Sequence, residues 1–240
     1  MARKPYGIIC PITHACAYLE PRWTLQILSE MWAGASRFND IRRGIGNISP
    51  GLLSRRLKEM EAKGLIERIE DRATGVVDYI RTDSAIDLEP AMNALAVWAQ
   101  RNIEAEVAIC EPNLSSLMWK MRRWIVRDAL PRRRVVMRFH FPDAASEYDT
   151  YWMIASPDAE IELCCSDPKL DVDLFVESGV LSLTSIILGR TTIAREKEAG
   201  SLFLSGDALL ARTMNRWLHL SDYSRAEGVL MLRQKARAPL

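Results

Sequence analysis

SRFNDIRRGIGNISPGLLSRRLKEMEAKGLIERIEDRATGVVDYIRT occupies residues 36–82, and its reading decides the fold. A short helical pattern, SRFNDIRRGI (residues 36–45), runs into the turn GNIS (residues 46–49). Ser49 then precedes Pro50, an N-cap followed by a proline at the first helical position, which is a strong start signal. In the helix that follows, Leu53, Leu57 and Met60 recur at i, i+4 and i+7 and must face a core, so Gly51, Ser54, Arg55 and Lys58 face away from it. Gly64 supplies the stop. Two strand-like segments, LIERIE and VVDYIRT, flank the polar tip DRATG. A helix sized for a groove, followed by a ribbon able to flank it, is the arrangement of a winged helix-turn-helix that reads DNA.

The outward residues suit that task. Small residues near the helix N-terminus permit close approach. Arg55 can fork onto guanine or a phosphate, Ser54 can bond either, and Lys58 suits a phosphate. Arg72 stands at the ribbon tip. The expected DNA-binding set is Arg37, Arg42, Arg43, Ser49, Pro50, Gly51, Ser54, Arg55, Lys58 and Arg72. The net charge of +1 hides this. Residues 36–58 hold six basic side chains (Arg37, Arg42, Arg43, Arg55, Arg56, Lys58) against Asp40 alone. Residues 142–177 hold ten acids against Lys169 alone. A basic reader is averaged with an acidic remainder.

Upstream, residues 13–19 and 23–32 read as two short helices, the second with Leu25, Leu28 and Trp32 on one face; Phe38 and Ile41 continue the core. Downstream, Leu88, Met92, Leu95, Ala99, Ile103 and Val107 form a stripe over residues 88–107, expected to be one helix that either packs against the second domain or forms a dimer seam, with Pro90 at its start or at a kink. Cap, turn, helix and ribbon are joined by further words: CPIT at 10–13, RWTLQIL at 22–28, RFNDIRR at 37–43, ISPGLLSRRLKEMEAKGLIER at 48–68 and DYIRT at 78–82. On these, residues 10–108 resemble the HxlR family of winged-helix regulators. The resemblance implies a homodimer that binds palindromic operator DNA and controls nearby genes. Two departures stand out. Arg81 precedes Thr82 where the family reads Tyr-x-Leu-Thr, and a glycine usual soon afterwards is missing from TDSAIDLEP. Cys10 matches an N-terminal cysteine that several such regulators use to sense oxidants or electrophiles; Arg3, Lys4 and His14 are candidates for lowering its pKa.

At 240 residues the chain is long enough for two domains. Glu111-Pro112-Asn113 breaks the helical pattern, so a winged-helix and dimerisation domain is expected over residues 1–110 and a second domain over 111–240. The second opens with an amphipathic helix over residues 114–131 (Leu114, Leu117, Met118, Met121, Ile125), which with Arg132, Arg133 and Arg134 makes a second basic cluster. The period then changes to two. Residues 135–141, 148–154, 161–165 and 172–176 alternate as strands, read as an antiparallel sheet with one face buried. Residues 174–218, LFVESGVLSLTSIILGRTTIAREKEAGSLFLSGDALLARTMNRWL, resemble the ending of the sterol-carrier-protein-like fold. The fold class expected is therefore α+β: a winged helix-turn-helix domain, then a sterol-carrier-like α+β domain with an antiparallel sheet. That resemblance implies helices over one face of the sheet and an apolar cavity for a lipid-like effector, with Phe139, Trp152, Phe175 and Met214 as candidate lining.

Catalysis is not expected. His14, His140 and His219 are far apart, and no metal-ligand, nucleotide-binding or Ser–His–Asp motif occurs. Five cysteines at irregular spacing include no CxxC, so neither cofactor nor metal is expected, and adjacent Cys164 and Cys165 face opposite sides of a strand. No apolar run reaches membrane-span length and the N-terminus makes a poor signal peptide, so a cytoplasmic location without membrane contact is expected. The leading reading is a DNA-binding transcriptional regulator, expected to act as a homodimer on double-stranded DNA and to answer a small apolar effector. The alternatives are a repressor switched at Cys10, and a lipid-carrying or protein-interaction module that does not bind DNA.

Overall fold

A computed structural model describes residues 10–109, 113–144 and 147–233. Two compact units divide the chain, Met1–Ala94 and Leu95–Leu240.

In the first unit the helices α1 (Pro11–Leu19), α2 (Thr24–Trp32), α3 (Phe38–Ile45) and α4 (Pro50–Ala62) precede a two-stranded antiparallel ribbon of β1 (Ile66–Glu70) and β2 (Val77–Arg81). A short α5 (Asp83–Ile86) follows, and then α6 (Glu89–Asn102), which begins in the first unit and ends in the second. Ser49 caps α4 by accepting the Leu52 N–H at 3.3 Å, and Gly64 ends that segment in the left-handed region at φ 70°, where a side chain would be strained. Leu53, Leu57 and Met60 of α4 enter a core with Ile27, Leu28, Met31 and Ile41. Helix α2 begins one residue later than the pattern implies. Trp23 takes a left-handed backbone (φ 85°) at its N-cap, with the Arg22 guanidinium 4.7 Å from the Trp23 ring centroid. The two departures near residue 82 are absorbed locally. Arg81 stacks over Trp32 (5.5 Å), and the Thr82 hydroxyl donates to the Gly64 carbonyl (2.6 Å) while accepting the Ala85 N–H that opens α5. The short helix α5 forms the join between the ribbon and α6.

The apolar stripe beyond residue 88 is not one helix. It stops at Asn102, and Glu104 leads into the separate α7 (Ala105–Ala108). A three-to-four spacing continues across such a break and so cannot reveal it. The expected boundary residues Glu111 and Pro112 lie outside the described residues. The compact units instead divide within α6, because Gln100 and Arg101 near its end bond to Leu188, Tyr223 and Glu227 of the second unit.

The second unit continues with α8 (Leu114–Met121). The amphipathic pattern overran here. After Met121 the chain makes 3-10 turns, and Ile125 is extended and bridged to Leu218. Val126 N–H donates to the Trp217 carbonyl and His219 N–H to that of Trp124, both at 2.7 Å. Strands β3 (Val135–His140), β4 (Thr150–Ala155), β5 (Glu162–Cys164), β6 (Leu174–Ser178) and β7 (Leu202–Gly206) form a five-stranded sheet in the order β5-β4-β3-β6-β7. It is mixed, not antiparallel as expected, because β3 and β6 run parallel (Arg138 opposite Phe175). Alternation marks a strand but not its neighbour. The chain folds β3, β4 and β5 outwards and then crosses back, which supplies the long connection a parallel pair requires. Arg133 pairs with Asp173 (2.7 Å), whose other oxygen accepts the Val136 N–H (2.8 Å), so part of the second basic cluster fastens the starts of β3 and β6.

Helices α9 (Val180–Ile187), α10 (Ile193–Glu198), α11 (Ala208–Arg212) and α12 (Met214–Trp217) complete the unit. Met137, Phe139, Tyr151, Met153, Leu174 and Val176 share a buried sheet face with Met118, Leu183, Ile186, Leu210 and Trp217.

Candidate nucleic-acid interface

Helix α4 is held by one face and bare on the other. Leu53 and Leu57 are essentially inaccessible, whereas Ser49, Pro50, Gly51, Arg55 and Lys58 are exposed and Ser54 is half-buried. Nothing lies within 4 Å of a Cβ built at Gly51, and its φ is not in the left-handed range, so the fold itself does not require a glycine there. Arg55 lies 4.0 Å from Glu59, one turn further along the helix, and stays 65% exposed, leaving its guanidinium available. Arg56, by contrast, is largely buried and bonds Glu59. The basic count over residues 36–58 ends one residue before this carboxylate, and so overstates the charge that α4 presents.

From α3, Arg43 is exposed with Asp40 at 3.9 Å, and Arg42 is half-buried. Arg37 precedes α3 and is already engaged. Its Nε lies 2.8 Å from Asp78 Oδ1 on β2, which also accepts the Ser36 hydroxyl at 2.7 Å. Tyr79 N–H donates to the Ser36 carbonyl (2.8 Å). These contacts join the start of α3 to the ribbon. Arg72 is exposed at the ribbon tip. The turn beneath it is shaped by Asp71, whose carboxylate accepts the Ala73 N–H at 2.8 Å and the Thr74 N–H at 3.4 Å, with Gly75 at φ 67° closing the turn. The Ala73 N–H, then the Thr74 hydroxyl and N–H, hold the Asp71 carboxyl below the usual carboxylate range. Asp71 and Asp78 were missed as shaping residues. An Asp two residues before the first tip donor and three before the next was the available signal.

Cys10 sits at the N-cap of α1. The N–H groups of Thr13 and Ile12, and the Thr13 side chain, lower its thiol below the ordinary range. Arg3 and Lys4 lie outside the described residues.

The four apolar candidates of the second unit do not line one space. Phe139 and Met214 are buried in the core between sheet and helices. Trp152 and Phe175 pair in register with Arg138 and therefore lie on the opposite sheet face, where Phe175 is 39% exposed. There the Arg138 guanidinium stands 5.9 Å from each ring centroid. On the same face His140 bonds Glu177 at 3.1 Å. Among the described residues no group of three or more His, Cys, Asp or Glu is placed to hold a metal, and no helix is long and apolar enough to cross a membrane.

The family model for the HxlR-like helix-turn-helix matches residues 18–107. The HTH-type transcriptional regulator YvaP of Bacillus subtilis is 33% identical over 98 residues, covering 40% of this chain and 91% of that protein. YtfH of Escherichia coli, also an HTH-type transcriptional regulator, is 30% identical over 101 residues, 42% of this chain and 80% of its own. Among solved structures, the reduced form of the transcriptional regulator YodB from B. subtilis is 31% identical and covers 40% of this chain and 97% of its own at a TM-score of 0.36. With the family model spanning the helices and ribbon, and with YvaP matched over nearly its whole length, this chain belongs to the HxlR-like helix-turn-helix family of transcriptional regulators.

Proposed function

We propose that this protein is a homodimeric regulator that reads a two-fold symmetric DNA site with α4 and the ribbon tip. The observation that carries the reading is the division of α4. Its apolar face is locked into the core, while Ser49, Pro50, Gly51, Arg55 and Lys58 stand clear of the first unit. Arg37, Arg42, Arg43, Ser54 and Arg72 complete the proposed contact set. Arg37 contributes mainly by placing the ribbon. Self-association is favoured by α1, a nine-residue helix with no buried side chain and with Ile12 74% and Tyr18 52% exposed. So short an apolar helix needs a partner surface to persist. On α6, Leu95 and Trp98 are likewise exposed. A two-fold dimer sets its reading helices about 34–36 Å apart, one turn of DNA.

Residues 111–240 are read as sterol-carrier-like and as the effector-binding part. The reading is supported by helices packed on one face of their five-stranded sheet. A small apolar effector would enter the core on that face, where Phe139 and Met214 lie, and shift operator affinity by binding one dimer geometry better than another. The test is titration of the full-length protein with duplex from upstream of its own gene across a range of salt. Binding should weaken steeply as salt rises. A protein that ignores this duplex at low salt is not the proposed regulator.

A second reading is favoured by Cys10, whose thiol is held low by the N–H groups that open α1. Oxidation or alkylation there would alter a helix proposed to lie in the dimer. Cys10→Ser should then abolish an oxidant response and leave basal operator binding intact.

A further inference from the structure

We infer that Arg190 is a latch that holds the last turns of α6 to the rest of the C-terminal unit, and that this latch carries a change in the core of that unit to the helix. The claim about signalling rests on the regulator reading above; the claim about the latch does not.

Arg190 is 1% exposed and is among the largest fully buried side chains of the described residues. Its Nε donates to Gln100 Oε1 at 2.9 Å and its Nη1 to the Ile103 carbonyl at 2.6 Å. Both acceptors are uncharged. A buried guanidinium held by neutral acceptors depends on geometry, since a small displacement leaves a desolvated charge short of partners. Such a contact is either made or replaced by water, which is the behaviour of a switch and not of a spring.

The groups around it are arranged to keep Gln100 in place. Gln100 Nε2 donates to the Leu188 carbonyl (2.7 Å) and the Tyr223 carbonyl (3.4 Å). Leu230 N–H donates to the Gln100 carbonyl (2.9 Å), Leu232 N–H to the Arg190 carbonyl (2.7 Å), and Arg101 Nε to the Glu227 carbonyl (2.5 Å). Arg233 pairs with Glu104. Residues 227–233 thus run as a strap beside residues 100–104. Gly189 permits the assembly. At φ 72° it turns the chain out of α9, and a Cβ there would meet the Ser224 carbonyl at 2.5 Å.

The other end of the connection lies in the core. Arg190 follows α9 directly, and its N–H bonds the Ser185 carbonyl at 2.8 Å. Leu183, Ile186 and Ile187 of α9 are buried in the core with Phe139 and Met214. A shift of α9 within that core therefore moves Arg190, and Arg190 moves the turn that contains Gln100. The proposed route out of this unit is α6 itself, which begins at Glu89 in the unit that carries α4.

The experiment uses full-length protein with Arg190→Met, which keeps bulk and loses the donors, and Arg190→Lys, which keeps charge and loses the fork. Backbone amide exchange is followed by mass spectrometry, with duplex binding measured in parallel. Both variants should speed exchange over residues 95–104 and 228–232 by about tenfold or more while α4 stays protected. Operator affinity should change by roughly fivefold or more. Unchanged exchange over residues 95–104 in the folded Lys variant overturns the latch. Faster exchange there with unchanged operator affinity overturns its role in signalling. Should Arg190→Met fail to fold, the Lys variant decides. If wild-type protein ignores the duplex, the regulator reading falls, and the exchange measurement still decides whether the latch exists.

Discussion

Arg37 Nε lies 2.8 Å from Asp78 Oδ1, so a basic side chain at the entrance to α3 is committed to the ribbon that flanks α4. The pair is partly exposed, at 47% and 33%, and in water such a contact contributes little by itself. Asp78 also accepts the Ser36 hydroxyl. Asp78→Ala should therefore lower stability by about 1 kcal/mol in urea denaturation and raise amide exchange in β2. Arg37→Ala should weaken duplex binding less than Arg55→Ala does. A larger loss from Arg37→Ala would mean that its guanidinium leaves Asp78 for the phosphate backbone.

Arg55 and Lys58 are both exposed on α4 and should fail differently. An arginine forked onto a base edge discriminates by roughly 1–3 kcal/mol. Arg55→Ala should thus narrow the gap between operator and unrelated duplex by about 5–150-fold. Lys58→Ala should weaken all duplexes alike and reduce the slope of log affinity against log salt by about one. Fluorescence anisotropy with two duplexes at four salt concentrations separates these outcomes, and equal losses on both duplexes from Arg55→Ala would remove Arg55 from base reading.

Gly51 separates the needs of the fold from those of the function. A Cβ at this position meets nothing, and helix interiors favour alanine over glycine by about 0.5–1 kcal/mol. Gly51→Ala should leave the melting temperature unchanged or raise it slightly, whereas Gly51→Leu should keep the fold and weaken duplex binding by about tenfold or more, because the backbone can no longer approach the groove. Wild-type affinity in the folded Gly51→Leu protein would place the start of α4 away from DNA.

Much of the first unit was legible because its signals are local. Ser49, Pro50 and Gly64 mark the ends of α4 within its own sequence, and Leu53, Leu57 and Met60 name its inner face. What escaped depends on contacts distant in sequence. The antiparallel expectation for β3 and β6 failed because alternation in Val135–His140 says which side chains share a face but not which strand lies alongside. The helix expected through Ile125 failed because Trp217 and Leu218, far along the chain, hold residues 125 and 126 extended. In the candidate site the basic residues were visible, but the carboxylates that occupy them were not. Asp78 lies four tens of residues beyond Arg37 and reaches it only through the ribbon.

Phe139 and Phe175 were grouped together by composition and are separated by register. Phe139 is fully buried with Met137, Tyr151 and Val176, while Phe175 is 39% exposed beside Arg138. Phe139→Ala should cost about 3–5 kcal/mol of stability, the range for a large core aromatic. Phe175→Ala should cost about 1 kcal/mol or less, the scale of an exposed contact between a cation and a ring. Chemical denaturation of both variants decides this. An apolar ligand that binds in the core should respond to Phe139→Leu and be indifferent to Phe175→Ala.

Cys10 and Cys164 are pushed in opposite directions, which makes their reactivities a direct test of the two environments. At Cys10 the Thr13 and Ile12 N–H groups stabilise the thiolate, whereas burial, with a smaller contribution from Glu162, raises the Cys164 thiol. The thiolate is the reactive form, so alkylation of each residue rises with pH through its own pKa. The midpoint for Cys10 should fall below the ordinary thiol value of about 8.5, and that for Cys164 above it. Iodoacetamide labelling between pH 6 and pH 10, read residue by residue by mass spectrometry, gives both curves. Thr13→Val removes the side-chain contribution and should move the Cys10 midpoint up only part of the way, since the larger backbone contribution remains. A Cys10 midpoint at the ordinary thiol value of about 8.5 would show that the opening turn of α1 does not hold the thiolate, and the redox reading would lose its physical basis.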